Sequence, residues 1–215
     1  MELLDASEVD IEQCRMLTSE VLNLEEVGLV ICSPLRRCLS TAKGISEGKT
    51  GLKVVVEPML CGRIAAAWSV CSPLAVLEQE FPCFDFSELK QLPENWMLNL
   101  LTSEDKQLSK EIPVTDKSMQ ENMLGLLKKG YYETYNSFFQ RTRDLKKRIC
   151  KLLSQHVSPE SKRRKILIIS HSCVLSFLLG SEMNPWGKVR DKISFEHCRP
   201  RSFSSQEVLR VQPGL

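Results

Sequence analysis

Residues 29–37 read LVICSPLRR and residues 166–172 read ILIISHS, and these two stretches decide the fold class. Each begins as a short, continuous apolar run, which is typical of a buried strand, and continues through polar residues into a helical pattern. Two such strand-helix units predict an α/β protein with a mostly parallel central sheet and helices on both faces. Because ligands of these sheets bind at the carboxyl ends of the strands, we expect the two stretches to build one anion site.

The rest of the chain adds elements to this sheet. Pro34 suits the first turn of a helix that ends before Gly48 and Gly51. Residues 57–115 carry proline, cysteine and aromatic side chains without a regular period, so we expect an irregular, lid-like insertion within a single domain spanning residues 1–215. We expect helices over residues 7–23, 35–45, 118–129, 131–155 and 174–179, and further strands over residues 53–56, 193–197 and 208–211.

Composition limits the partners and the compartment. The chain has 29 basic and 27 acidic residues and a net charge of +2, which gives no general attraction to nucleic acid or to membranes. Its nine cysteines include no C-x-x-C pair and no cysteine-histidine cluster at zinc spacing. We therefore expect reduced thiols, no metal site and a cytoplasmic protein. No apolar run approaches membrane-spanning length, and the acidic start does not resemble a secretory signal.

Three segments, in the family's order, resemble motifs of the histidine phosphatase superfamily, the phosphoglycerate mutase-like proteins. Residues 33–42, SPLRRCLSTA, are similar to its S-P-x-x-R-A-x-x-T-A segment, and residues 167–172 resemble its second motif, an apolar strand ending in Thr-His-Gly. Residues 7–14, SEVDIEQC, are similar to the T-x-x-G-x-x-Q-A pattern that follows the family's first strand. The segment FPCFDFS at residues 81–87 further resembles a eukaryotic-style branch with F-P-x-x-D-F-S.

This resemblance implies a phosphoglycerate mutase-like three-layer sandwich that hydrolyses or transfers a phosphoryl group without a cofactor. It also implies that one histidine attacks phosphorus while arginines and a second histidine bind the phosphate oxygens. By position, His171 would be that second catalytic histidine, Arg37 would clamp the phosphate, and the backbone N–H of Ser172 would be an added donor. The expected ligand is a phosphorylated small molecule or a phosphoprotein, with no nucleic acid, membrane or metal involved.

Two departures from the family pattern bear on activity. The family's nucleophilic histidine lies in an Arg-His-Gly motif on a strand that should precede Ser7, where this sequence has six residues and no histidine. His156 and His197 do not follow a strand in the right place, and Gly62 stands where the family's E-P-x-L-R-E segment has its acid. Since the missing strand belongs inside the sheet, and each unpaired buried group costs about 1–3 kcal/mol, we expect either a longer, active product or a remodelled sheet that binds without turnover.

Two functions therefore stay open. The first is phosphomonoester hydrolysis or phosphate transfer of the histidine phosphatase type, deficient in the chain as written because the acceptor is absent. The second is a non-catalytic, phosphate-binding regulatory module, a pseudophosphatase.

Other interpretations of the motifs fit less well. A thiolate phosphatase loop needs an arginine six positions after its cysteine, but the residue six positions after Cys32 is Cys38. A P-loop over residues 44–50 would need its first glycine at the position of Lys43. The basic run at residues 161–165 is interpreted as a solvated gatekeeper before a strand, and the aromatic group within residues 131–139 as part of the core.

Overall fold

The computed structural model describes residues 24–102, 118–156, 165–180, 183–184, 190, 193–195 and 201–204. Within these ranges, the strands are β1 (Val27–Cys32), β2 (Lys53–Val56) and β3 (Lys165–Ile169). The helices are α1 (Arg36–Ser46), α2 (Leu74–Glu80), α3 (Ser87–Lys90), α4 (Trp96–Thr102), α5 (Met119–Lys128), α6 (Tyr135–His156) and α7 (Ser172–Leu179). Short 3-10 helices lie at Leu24–Glu26, Pro58–Leu60 and Ala67–Ser69.

The three strands form one parallel sheet in the order β2-β1-β3. The central strand β1 pairs Leu29 with Lys53 of β2 and Cys32 with Ile169 of β3. Parallel neighbours need a crossover connection, and α1 lies in the one between β1 and β2. The predicted α/β class with a parallel central sheet is confirmed.

Side chains of β1 alternate between two hydrophobic cores, one on each face of the sheet. Val30 and Cys32 face a core that includes residues of α1, α2, α4 and α5. Leu29 and Ile31 face the other core, which is formed with α6 and α7. All four side chains are 0% exposed, which explains why this strand is apolar at consecutive positions. Helices cover both faces of the sheet, as predicted.

Helix α1 confirms the predicted strand-helix unit with one correction at its start. Leu35 is the N-cap residue and keeps an extended backbone, with φ −75° and ψ 133°, so the helix begins at Arg36. Pro34 therefore lies before the helix, and its predicted place in the first turn is wrong. After the helix, Gly48 and Gly51 adopt left-handed conformations, with φ of 71° and 75°, and turn the chain into β2.

Helices α5 and α6 occupy the two helical ranges predicted after residue 117, separated by Gly130 at φ 88°. Helix α6 begins at Tyr135, later than predicted, because the preceding residues make other contacts. The backbone N–H of Glu133 donates to the carbonyl of Ile64 at 2.8 Å, which draws the chain away from a helical path. The aromatic group predicted as core is divided, since Phe138 is fully buried and Tyr135 is 46% exposed.

Residues 57–102, the described part of the predicted insertion, contain a series of short helices. Many of their apolar side chains join the cores beside the sheet, including Leu60, Ile64 and Met97, which are each 0% exposed. These side chains of the segment therefore pack against the sheet. The remaining residues of the predicted insertion, 103–115, lie outside the described residues.

Strand β3 confirms the second predicted strand but not its full burial. Residues 166–169 are half-buried, because within the described part of the chain β3 pairs with β1 on one edge only. Residues 193–195 are not in a strand, so the predicted strand is wrong there; the carbonyl of Ile193 instead accepts a hydrogen bond from Ser176 Oγ at 2.7 Å.

The predicted helix at residues 7–23 and the predicted strand at residues 208–211 lie outside the described residues. A missing inner strand stays a prediction. In the ranges given above, no helix has both the length and the hydropathy that crossing a membrane requires.

Candidate anion-binding site

The carboxyl ends of β1 and β3 bring the two predicted motifs together. The backbone N–H of Ser33, directly after β1, donates to the carbonyl of Ile169 at 3.0 Å and extends the pairing by one residue. His171 follows β3 and is the N-cap residue of α7. The hydroxyl of Ser33 lies 3.0 Å from His171 Nε2, so residues 138 positions apart in sequence meet in one site.

Arg37 forms the second side of this site. Its Nη2 lies 3.0 Å from His171 Nδ1, and its Nη1 donates to the carbonyl of Trp68 at 2.9 Å. An arginine can only donate, so Nδ1 accepts and the proton of the neutral ring lies on Nε2, from which it is donated to Ser33. Arg37 is exposed, and its remaining N–H groups face no acceptor among the described residues. The structure thus places Arg37 against His171, as the sequence motifs led us to expect.

The imidazole of His171 is held in its neutral form. Burial lowers its pKa to about 3, and the positive charges of Arg37 and Arg141 act in the same direction. A cation that donates to Nδ1 leaves no place for a second proton on that atom. In this arrangement both ring nitrogens are engaged, so the ring orients Arg37 and Ser33.

The state of His171 predicts a pH dependence of stability. Because its pKa in the folded chain is about 3, the unfolded chain binds more protons between that pH and about 6.5, and stability falls as the pH decreases through this window. The slope is at most about 1.4 kcal/mol per pH unit. Carbon-detected NMR of the ring should show no titration of His171 between about pH 8 and pH 5.

A His171→Asn variant is the control for this prediction. Its unfolding free energy should lose pH dependence relative to the unchanged protein in the same window, so that the difference between the two isolates this one group. A His171 ring that titrates near its ordinary pKa of about 6.5 would contradict the assigned hydrogen bonds.

Gly62 lies directly against the His171 ring. A Cβ atom placed on Gly62 would be 3.4 Å from the ring atoms Cγ and Cδ2. The position where the resemblance expects an acid therefore lies beside His171, but glycine has no side chain that could donate a proton there. Among the described residues, the polar side chains that contact the His171 ring are Ser33, Arg37 and Cys38, none of which is a carboxylic acid.

A buried ion pair behind Gly62 was not foreseen from the sequence. Arg141 binds both carboxylate oxygens of Glu133 at 2.8 Å, and the two side chains are 6% and 0% exposed. Arg141 Nη1 also donates to the carbonyls of Met59 and Cys61 at 2.7 Å, and Nη2 to that of Gly62 at 3.4 Å. All five N–H groups of the guanidinium are thus bound. An arginine with a glutamate eight residues earlier has no sequence signal, because only the packing of residues 59–64 buries the pair.

The side chains of Ser172 and Arg36, two further residues of the motifs, do not contact the His171 ring in the described structure. Ser172, predicted as an added donor, is the exposed first residue of α7, where the N–H groups have no helical acceptor. Arg36, the neighbour of Arg37, is turned away from His171 and forms an ion pair with Glu80. Of the two arginines in the first motif, Arg37 alone contacts His171 in the described structure.

The thiols near the site are poor nucleophiles. Burial raises the pKa of Cys38 to about 12, and it raises the pKa of Cys32 well above its usual value. A thiolate phosphatase mechanism therefore has no support from these two residues. The seven cysteines that the structure describes are free thiols, and these ranges contain no cluster of metal-ligating side chains.

Comparison with known proteins gives matches in structure only. No protein-family model matches the sequence, and no curated protein matches it. The structure is similar to mycobacterial glucosyl-3-phosphoglycerate phosphatase, with 18% identity over 81% of this chain and 69% of that chain and a TM-score of 0.44. The complex of that phosphatase with inorganic phosphate gives a TM-score of 0.45. The structure of this chain is also similar to that of the alpha-ribazole phosphatase of Shigella flexneri, with 22% identity over 81% of this chain and 67% of that chain and a TM-score of 0.41.

Proposed function

We propose that this chain is a domain of the histidine phosphatase type that binds the phosphate group of a phosphomonoester at Arg37, whose guanidinium His171 orients. The observation that carries the proposal is the 3.0 Å contact between Arg37 Nη2 and His171 Nδ1 at the carboxyl ends of β1 and β3. This contact fixes the guanidinium at the strand ends while leaving N–H groups for an anion, and the first turn of α7 adds the backbone N–H of Ser172. The ligand would be a phosphorylated small molecule or a phosphoprotein.

Binding without turnover is the function that the geometry supports best. Phosphoryl transfer to a histidine needs an unengaged ring nitrogen in line with phosphorus and an acid for the leaving oxygen. The resemblance makes His171 the second histidine and not the acceptor, both of its ring nitrogens are hydrogen-bonded, and Gly62 occupies the position expected for the acid. We infer that the described residues make a phosphate receptor, which corresponds to the pseudophosphatase alternative.

Hydrolysis of phosphomonoesters is the second candidate, and the motif at residues 33–42 favours it. The acceptor histidine would have to come from outside the described residues. Release of nitrophenolate from p-nitrophenyl phosphate distinguishes the two candidates. Turnover that is lost in a His171→Ala variant would establish the enzyme, whereas binding of inorganic phosphate without turnover would establish the receptor.

Inorganic phosphate is expected to raise the thermal midpoint of the protein, and Arg37→Gln should abolish most of this shift. A ligand that binds only the folded state stabilises it in proportion to the logarithm of its concentration over Kd. Losing the guanidinium removes charge-assisted hydrogen bonds worth about 1.5–3 kcal/mol each, so Kd should rise by roughly tenfold or more. Differential scanning fluorimetry over a phosphate series gives both values.

Arg36→Gln is the matched control for this experiment. Arg36 is the adjacent residue of α1, carries the same charge and is bound to Glu80. Its substitution should leave the phosphate-dependent shift largely intact. Equal losses in the two variants would show that the effect is one of net charge, and a protein that phosphate does not stabilise at all would refute the proposed function.

A further inference from the structure

The loop at residues 59–62, which adjoins His171, is fixed by hydrogen bonds from side chains to its backbone. All four carbonyl groups of residues 59–62 accept hydrogen bonds from side chains. Arg141 binds the first, third and fourth of them, and Ser170 Oγ binds the second at 2.8 Å. Arg141 is itself fixed by Glu133, whose carboxylate also accepts from the backbone N–H of Ile64 at 3.0 Å. The orientation of these peptide groups is therefore set by the buried ion pair.

The same orientation leaves two backbone donors without partners. In a trans peptide the N–H points opposite to the carbonyl, and no cis peptide occurs among the described residues. Because the carbonyls of Cys61 and Gly62 point at Arg141, the N–H groups of Gly62 and Arg63 point away from it. Neither has an acceptor within the described ranges, whereas the N–H groups of Cys61 and Ile64, on either side, donate to Pro58 and Glu133.

An unpaired N–H at a buried residue calls for a ligand or water, because nearly all such groups in proteins are bound. Gly62 is buried, yet its N–H has no protein partner in the described structure. Its Cα side lies against the His171 ring, where an added Cβ would come within 3.4 Å of two ring atoms. The two donors thus belong to a backbone segment that adjoins the His171 ring, and Nδ1 of this ring contacts Arg37.

We propose that the backbone N–H groups of Gly62 and Arg63 bind oxygens of the phosphate together with Arg37, and that Glu133 and Arg141 are positioning residues for these two donors. Consecutive N–H groups that point the same way are a common anion-binding arrangement in proteins. Glycine at position 62 lets this backbone approach the His171 ring closely. At the position where the resemblance expects an acid, the chain would then present backbone N–H donors to the anion. The inference rests on the proposed phosphate site.

The first test is a titration of the nitrogen-labelled protein with inorganic phosphate, followed by NMR. We expect the amide protons of Gly62 and Arg63 to move downfield and to saturate at the same phosphate concentration as the ring signals of His171. Movement of the His171 signals without movement of these two amides would overturn the inference and leave the proposed function standing. Absence of any response at His171, Arg37 and the loop would overturn both.

The second test removes one donor. Gly62→Pro lacks the N–H, and the backbone of Cys61, with φ −58° and ψ 140°, is the extended conformation that a following proline requires. Gly62→Ala is its matched control, because it keeps the N–H and adds only a Cβ. Phosphate affinity should be about tenfold lower in Gly62→Pro than in Gly62→Ala, as expected for one hydrogen bond to a charged group. Equal affinities would overturn the inference.

The positioning role has its own test. Arg141→Lys keeps the positive charge but cannot bind three carbonyls and a carboxylate at once. In this variant the phosphate-induced shifts of the Gly62 and Arg63 amides should shrink, while Arg148→Lys on the same helix should retain them. If Arg141→Lys retains the native circular dichroism spectrum and full amide shifts, Arg141 does not position the donors.

Discussion

Replacing Arg141 with methionine is expected to lower the free energy of unfolding by about 3–5 kcal/mol, the range typical when one partner of a buried ion pair is removed. The carboxylate of Glu133 is 0% exposed and would remain buried without a cation. The carbonyls that Arg141 binds would lose their donors as well. Because a domain is typically stable by about 5–15 kcal/mol, this change removes a large share of the total. Urea unfolding at neutral pH measures the loss.

Arg148→Met is the matched control on the same helix, two turns after Arg141. Arg148 pairs with Glu57 and Glu88, but its side chain is 21% exposed and solvent can replace part of the interaction. Burial already raises the pKa of Glu57, so this carboxyl can take up a proton when the cation is removed. We expect a clearly smaller loss than for Arg141→Met.

Removing both members of the buried pair is a further check on the cause. The double variant Glu133→Leu with Arg141→Met has no uncompensated charge, and it should recover part of the stability that Arg141→Met loses. If the double variant is less stable than the unchanged protein by the full sum of the two single-variant losses, the buried charge is not the reason for the destabilisation.

The strands and the first helix are predictable because their physical causes are local. Strand β1 is buried on both faces, so it must be apolar at every position, and this requirement is visible as a continuous run. Gly48 and Gly51 end the segment after α1 because their left-handed backbones favour glycine. The meeting of Arg37 with His171 is also foreseeable, since parallel strands end at the same edge of a sheet.

The remaining features depend on contacts between distant segments and could not be predicted. Helices as short as α3 are not stable alone and form only through tertiary packing, so residues 57–102 look irregular in sequence. The role of Gly62 depends on the loop's approach to His171, and Glu133 looks like an ordinary surface acid at the end of a connection. Burial of these residues follows from how the loop packs against α6.

The partial burial of β3 shows the same limit from the other side. An apolar run predicts a buried strand, but it does not indicate how many neighbouring strands that strand pairs with. Residues 166–169 are as apolar as those of β1, yet they are half-buried because β3 lies at the edge of the described sheet. Position in the sheet decides burial, and sequence alone does not supply it.

Phe138→Ala is expected to cost about 3–5 kcal/mol, the range for truncating a buried phenylalanine to alanine. Phe138 is 0% exposed and packs against Phe177 of α7, with ring centroids 4.7 Å apart. It also lies beneath Arg141, whose guanidinium carbon is 4.9 Å from the ring centroid. Its loss leaves a cavity beneath the ion pair that holds the loop beside His171, so both stability and phosphate affinity should fall. Urea unfolding and a phosphate titration measure the two effects.

Tyr135→Ala is the matched control, one turn earlier on α6. Tyr135 stacks on the same Phe177 with ring centroids 6.3 Å apart, but 46% of the residue is exposed. Less apolar area is lost from the core than when the fully buried Phe138 is truncated, so we expect a clearly smaller cost than for Phe138→Ala. A loss as large as that of Phe138→Ala would contradict the packing described here. If Phe138→Ala loses stability but keeps its phosphate affinity, the position of Arg141 does not depend on the Phe138 ring. The aromatic core would then support the fold but not the loop at residues 59–62.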